Sequence, residues 1–132
     1  MGEHGQFIPP DYSKGDETTV AGYRAVHARP AALEGRDGFS YSLEITSDAC
    51  GDPGKPFGAY LMFVQWSRLG AQKVEGHLES DFLAFGSTDT EAEHALGTMP
   101  LAEAQQVLDS LIRARDGDSK RRWWNAVESD SA

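Results

Sequence analysis

The longest uncharged run in the chain spans residues 57–66, and its apolar side chains occupy odd and even positions alike. A strand loses its alternation when both of its faces are covered, so this run predicts a central strand that is buried on both faces. We expect a neighbouring strand on each side of it. The residues expected to be mostly buried are Tyr60, Leu61, Met62, Phe63 and Val64.

A regular alternation of apolar and polar residues precedes the central run. Phe39, Tyr41, Leu43 and Ile45 are apolar, and the residues between them are polar. This pattern predicts a half-buried antiparallel strand. The dipeptide Asp37-Gly38 directly before it is typical of a hairpin turn.

Two further strands are predicted, one on each side of this pair. Val20 to Ala28 is interpreted as a strand that ends before Pro30, because proline cannot donate to a sheet ladder. Lys73 to Phe85 is interpreted as the fourth strand. Its even positions are mainly apolar and its odd positions polar, which predicts one wet face, until Leu83 and Phe85 suggest that burial changes sides. The apolar even positions are Val74, Leu78, Phe82 and Ala84.

The last third of the chain has helical signals. Thr88 and Glu91 fit a capping box, and Gly97 is interpreted as a left-handed stop for a short helix. Pro100 opens a second, main helix that we expect to end at 116–118. Its apolar stripe is Leu101, Leu108, Leu111 and Ile112, and its expected wet residues are Glu103, Gln106, Asp109 and Ser110.

These elements predict an α+β fold, an antiparallel four-stranded β-meander with a short helix and a main C-terminal helix packed on one face. The 132 residues are enough for one domain. We divide the chain into a loose N-terminal arm (1–19), a single α+β domain (20–116) and a basic, aromatic C-terminal tail (117–132).

Charge and cysteine content narrow the classes of function. With 12 Lys and Arg against 21 Asp and Glu, the net charge is -9, which repels phosphates and argues against nucleic-acid binding but suits a basic partner. The single cysteine permits no intrachain disulfide, and no apolar run reaches membrane-span length. We therefore expect a cytoplasmic protein that does not enter a membrane.

One strand carries polar side chains that could form a site. His77, Glu79 and Asp81 recur at every second residue, so on a strand they project from one face, and His27 could approach them from the first hairpin. The alternative, which we favour, is that the three residues form the solvated face of a half-buried strand. We expect no catalytic site, no metal and no cofactor.

The C-terminal tail combines basic and aromatic residues, Arg121, Arg122, Trp123 and Trp124. Trp and Arg are enriched in interface hot spots, so these four are candidate partner-binding residues. In the competing interpretation, Trp side chains pack back onto the domain and anchor the terminus.

The best functional hypothesis is a small acidic protein-binding module without catalysis, of the inhibitor, immunity or adaptor type, whose partner is another protein, possibly basic. The alternative is a small-ligand-binding domain or small enzyme that uses a pocket between sheet and helix. In that case His77, Glu79 or His27 would supply the acid or base.

Overall fold

The structure is a computed structural model that describes the backbone of residues 8–67 and 74–130 and the side chains of 8–67 and 74–118. After a short 3₁₀ turn at Tyr12–Lys14, the elements are α1 (Val20–His27), β1 (Ala32–Glu34), β2 (Ser40–Ala49), β3 (Phe57–Trp66), β4 (Val74–Glu79), β5 (Ala84–Gly86), α2 (Asp89–Gly97) and α3 (Leu101–Asp130).

The predicted α+β class is confirmed. The sheet is antiparallel in the order β1-β2-β3-β4, and the short β5 also pairs with β3. The uncharged run forms β3 with the predicted bounds, paired with β2 along its whole length and with β4 and β5 on its other edge. The central position of this strand is therefore confirmed.

The predicted strand at Val20–Ala28 is wrong, because this segment is helix α1. The Thr19 hydroxyl caps it by accepting a hydrogen bond from the Gly22 N–H at 3.1 Å. The buried residues of this helix are Val20, Gly22 and Val26, and because all three are even-numbered their spacing also matches one face of a strand. Ala28 ends the helix in the left-handed conformation, with φ 55°. The first strand of the meander is instead β1.

The fourth predicted strand is interrupted. β4 ends at Glu79, and Ser80 fills a ladder position because its hydroxyl accepts the Leu61 N–H at 3.0 Å. The register also shifts opposite Gln65 and Trp66, so Val74 pairs with Trp66 while Leu78 pairs with Phe63. This irregularity places Val74 and Leu78 on opposite faces, although the sequence assigned them to one.

The hydrophobic core lies on one face of the sheet. The odd-numbered residues Ala59, Leu61 and Phe63 of β3 are buried together with side chains of β2, α1, α2 and α3. α3 contributes its predicted apolar stripe, and Glu103, Gln106 and Ser110 are exposed as expected. Asp109 is an exception, because its carboxylate is partly buried and accepts the Arg36 N–H at 3.0 Å.

The capping of α2 follows the prediction at one end only. The Thr88 hydroxyl accepts the Glu91 N–H at 3.0 Å, and the Glu91 carboxylate accepts the Ser87 N–H at 2.9 Å. Gly97 is not the left-handed stop we expected, since it is a buried residue of the helix itself. A Cβ at Gly97 would lie 2.6 Å from the Ala21 Cβ, so glycine here allows α1 and α2 to approach closely.

Gly97→Ala is expected to destabilise the fold by about 1–2 kcal/mol, because overpacking this contact outweighs the better helix propensity of alanine. Chemical denaturation of the variant measures the loss. The double variant Ala21→Gly/Gly97→Ala relieves the clash, so a double-mutant cycle should show a favourable coupling of the two changes. Additive effects would contradict this account of Gly97.

The main helix does not end at 116–118 as predicted. α3 continues to Asp130, because a single glycine without a proline costs a helix only about 1 kcal/mol. The candidate residues Arg121, Arg122, Trp123 and Trp124 therefore belong to a helical backbone, and their side chains lie outside the described residues. The division into arm, domain and tail stays a prediction.

Candidate binding surface

The second face of the sheet is not covered by a helix within the described residues. Even-numbered side chains of β3 point to it, together with the residues that pair with them on β2 and β4. We call this surface the open face. Its central row is Tyr60, Met62, Val64 and Trp66, each partly buried and none a member of the core cluster. The prediction that Tyr60, Met62 and Val64 are mostly buried is confirmed, although this row is covered less completely than the odd-numbered face of β3.

Large apolar side chains are also exposed at both ends of the row. Val74 pairs with Trp66 and is 51% exposed, while Phe85 pairs with Gly58 and is 42% exposed. The predicted change of burial at Leu83 and Phe85 is thus wrong. Phe82 is 36% exposed and stands edge-on to Tyr60, with 5.8 Å between the ring centroids. Apolar side chains therefore follow the central row of the open face from Val74 at one end to Phe85 at the other.

Polar groups flank the apolar row. The Trp66 indole N–H donates to the Ser42 hydroxyl at 2.7 Å, which satisfies its one polar group. Glu44 on β2 pairs with Arg24 of α1 at 3.0 Å. On β4, His77 Nε2 lies 3.3 Å from the Glu79 carboxylate. Both of these side chains are about half exposed, so the pair adds little stability.

An acidic depression of about 340 Å³ lies at the β5 end of the open face. It is lined by the aromatic residues Tyr60 and Phe82 and by the acidic residues Asp48, Glu79 and Asp81, and no Lys or Arg is among the described residues that line it. Burial of the Tyr60 hydroxyl, with the negative charges of Glu79 and Asp48, raises its pKa. Two of the three polar residues singled out on the sequence, Glu79 and Asp81, therefore meet here.

His27 has different neighbours. Its Nε2 lies 2.9 Å from the Glu17 carboxylate, and its ring packs on Tyr23 with 4.2 Å between centroids. The ring of Tyr12 approaches edge-on at 6.2 Å. His27 is a half-buried residue of α1, not of a hairpin strand, so the premise on which we grouped it with His77 does not hold.

A second concavity lies between β2 and the helices α1 and α2, with a volume of about 640 Å³. The alternative functional hypothesis expected a pocket between sheet and helix. The histidine of this cleft is His94, however, and neither His27 nor His77 lines it. The floor is apolar, and the rim carries Arg24, Glu44, Thr90, Glu93 and His94.

Both carboxylates that line this cleft have a hydrogen-bond partner. Glu44 is paired with Arg24, and Glu93 accepts a short hydrogen bond from the Ser47 hydroxyl. Among the side chains of 8–67 and 74–118, no three His, Cys, Asp or Glu residues are arranged to hold a metal ion. The absence of a metal or cofactor remains a prediction.

In the described part of the chain, no helix combines the length and hydropathy needed to cross a bilayer.

Comparison of the chain with protein-family models, curated proteins and solved structures finds no match. The class of this protein is therefore defined by its own geometry, an α+β fold in which no described helix covers one face of the sheet.

Sequence reasoning missed the aromatic wall of the depression. A Cβ at Gly58 would lie 2.7 Å from Phe82 Cγ, so the ring of Phe82 occupies the space that a side chain at position 58 would fill. A glycine inside a strand is a known signal that another group approaches closely. That signal was present at Gly58, but it did not indicate which residue approaches.

Proposed function

We propose that the protein is a binding module whose open face receives a basic, amphipathic helix of another protein. The observation that carries this proposal is the apolar row from Tyr60 to Trp66, over which no described helix packs and whose ends carry the exposed side chains of Val74, Phe82 and Phe85. Apolar sheet faces are normally covered by a second layer, and large exposed apolar patches mark interaction sites. The row spans about 20 Å, which matches about 13 residues of helix.

The negative charge of the protein and of one end of the open face supports a basic partner. The chain carries a net charge of -9, and Asp48, Glu79 and Asp81 stand at one end of the open face. Among the described residues near the row, the basic groups Arg24 and His77 are each paired with a glutamate. A helix with lysine or arginine beside its apolar stripe would therefore meet complementary charge, which favours fast association and orients the partner.

Binding of a designed probe tests the proposal. The probe is a helix-forming peptide of about 14 residues with leucines on one face and lysines on the other. In an NMR titration of the full chain, we expect shifts concentrated at Tyr60–Trp66 and His77–Phe82. A matched peptide with glutamate in place of lysine should bind at least about tenfold more weakly.

Two lysine variants separate the open face from general charge effects. Met62→Lys places a charge in the apolar row and should weaken binding by about tenfold. Ala102→Lys makes the same charge change at an exposed position of α3, on the core side of the sheet, and should change it less than about twofold. If Met62→Lys melts early, Thr46→Lys serves instead, since Thr46 pairs with Tyr60 and is already polar.

Three results would contradict the proposal. They are equal binding of the basic and acidic peptides, equal effects of Met62→Lys and Ala102→Lys, and occupation of the open face by a second copy of the chain. Sedimentation of the protein alone tests the last, because a dimer that Met62→Lys dissociates would show that the face is a self-interface. In that case the segment that occupies the open face would be the basic, aromatic end of α3 from the second copy.

A further inference from the structure

We propose that the depression beside Tyr60 and Phe82 receives an arginine side chain of the bound partner. This inference rests on the proposed binding function, because it names the partner group that enters the open face at its β5 end. Tyr60 and Phe82 provide aromatic surface, and Asp48, Glu79 and Asp81 provide negative charge around it.

The aromatic rings of Tyr60 and Phe82 determine which type of cation the depression favours. Carboxylates alone would attract any cation, whereas an aromatic surface favours a weakly hydrated, planar one. A guanidinium can lie against a ring and direct its N–H groups sideways to carboxylates. Tyr60 and Phe82 are perpendicular within about 15°, with an interplanar angle of 75°, so one ring can present a face while the other closes the side.

Contacts with the sheet fix the position of the Phe82 ring. Its ring rests on the backbone at Gly58, where a Cβ would stand only 2.7 Å from Cγ, and Phe85 supports it with 6.1 Å between centroids. Ser80 fixes the chain just before it, through the hydrogen bond from Leu61 N–H and through a bond that its own hydroxyl donates to the Asp81 carbonyl at 2.7 Å. The aromatic wall is therefore in place before a ligand arrives.

Small model compounds test the depression directly. N-acetyl-arginine methylamide is titrated into the full-length protein, with the citrulline compound, which has nearly the same shape but no charge, as control. We expect saturable NMR shifts at Tyr60, Phe82 and their neighbours with arginine, weaker ones with the lysine compound, and none with citrulline. Citrulline shifts equal to those of arginine would overturn the inference, and so would lysine binding as tightly as arginine.

Variants separate the rings from the charges. Phe82→Ala keeps every charge and should weaken arginine binding by about fivefold, within the range of a cation–π contact. Glu79→Gln should weaken it similarly. Glu34→Gln is an equal loss of charge at an exposed position of β1, opposite Ser40 and therefore towards the Trp66 end of the sheet, and should leave arginine binding within about twofold. Equal effects at positions 79 and 34 would show that net charge alone attracts arginine and would refute the site.

The two proposals fail in different ways. If the amphipathic peptide binds the open face but arginine does not shift Tyr60 and Phe82, the binding function stands and the arginine site is wrong. If arginine occupies the depression but the peptide leaves 60–66 unchanged, the arginine site stands and the proposed docking of a helix is wrong.

Discussion

Phe63→Ala is expected to lower the free energy of unfolding by about 3–5 kcal/mol, the typical loss when a buried phenylalanine is truncated. Phe63 is fully buried in the middle of β3, and it pairs with Leu43 on one side and Leu78 on the other. α2 and α3 close the same cluster from above, so the surrounding side chains have little room to collapse into the cavity. Urea or guanidinium denaturation measures the change.

Phe82→Ala provides the matched control for this prediction. The same atoms are removed from a ring that is 36% exposed, and we expect a loss of about 1 kcal/mol or less. The midpoint should fall sharply for Phe63→Ala while the denaturant slope stays close to that of the parent protein. Similar losses for the two variants would show that the odd-numbered face of β3 is not the core.

Asp37→Ala is expected to cost about 3 kcal/mol, the upper end of the range for a hydrogen bond to a charged group. The Asp37 carboxylate accepts the Tyr41 hydroxyl at 2.7 Å, the Phe39 N–H at 3.1 Å and an Arg115 guanidinium N–H at 3.1 Å. It therefore connects the β1–β2 turn to α3. Its removal leaves the hydroxyl of the fully buried Tyr41 without this acceptor. Thermal or chemical denaturation at neutral pH measures the loss.

The acidity of Asp37 makes this contribution depend on pH. Partial burial pushes its pKa up, but the hydrogen bonds from Tyr41, Phe39 and Arg115 outweigh burial and hold the pKa below its usual value. A lowered carboxyl pKa stabilises the fold above the unfolded value of about 3.9, and this stabilisation is lost as pH falls through the folded pKa. The gap in stability between the parent protein and Asp37→Ala should therefore narrow below about pH 4.

Tyr41 makes the stability of the same cluster depend on pH in the alkaline range. Burial and its hydrogen bond to Asp37 raise the pKa of Tyr41 to about 12. The stability that protonated Tyr41 contributes to the fold is fully present below the pKa of tyrosine in the unfolded chain, about 10. This contribution is lost as pH rises towards 12. Tyr41→Phe cannot ionise, so its stability relative to the parent should rise across that interval.

Asp116→Ala is the matched control for the turn cluster. Asp116 also contacts Arg115, at 3.3 Å, but its side chain is 58% exposed, so its removal should cost less than about 1 kcal/mol. Equal losses for the variants at 37 and 116, or a gap between the parent and Asp37→Ala that stays constant below pH 4, would contradict the role assigned to Asp37.

Local patterns in the sequence determined β2, β3 and the buried stripe of α3. Alternation along β2 and the period of Leu101, Leu108 and Ile112 report directly which side of an element is buried, because neighbouring positions in one element share a geometry that the chain itself sets. The Asp37-Gly38 turn belongs to the same class, since Gly38 adopts the φ of 86° that a glycine favours. The sequence also showed that Glu79 and Asp81 lie on the polar side of their segment.

The tertiary structure alone decided which face of β3 stays open. Both faces carry apolar side chains, so the pattern within the strand cannot distinguish them, and the choice follows from the placement of α2 and α3 on the odd-numbered side. The acidic depression depends on the same kind of information. Phe82 reaches Gly58 and Tyr60 only because β4 stops at Glu79 and the chain rejoins β3 at Ala84. Such contacts join residues more than 20 positions apart, and no local periodicity reports which of them meet.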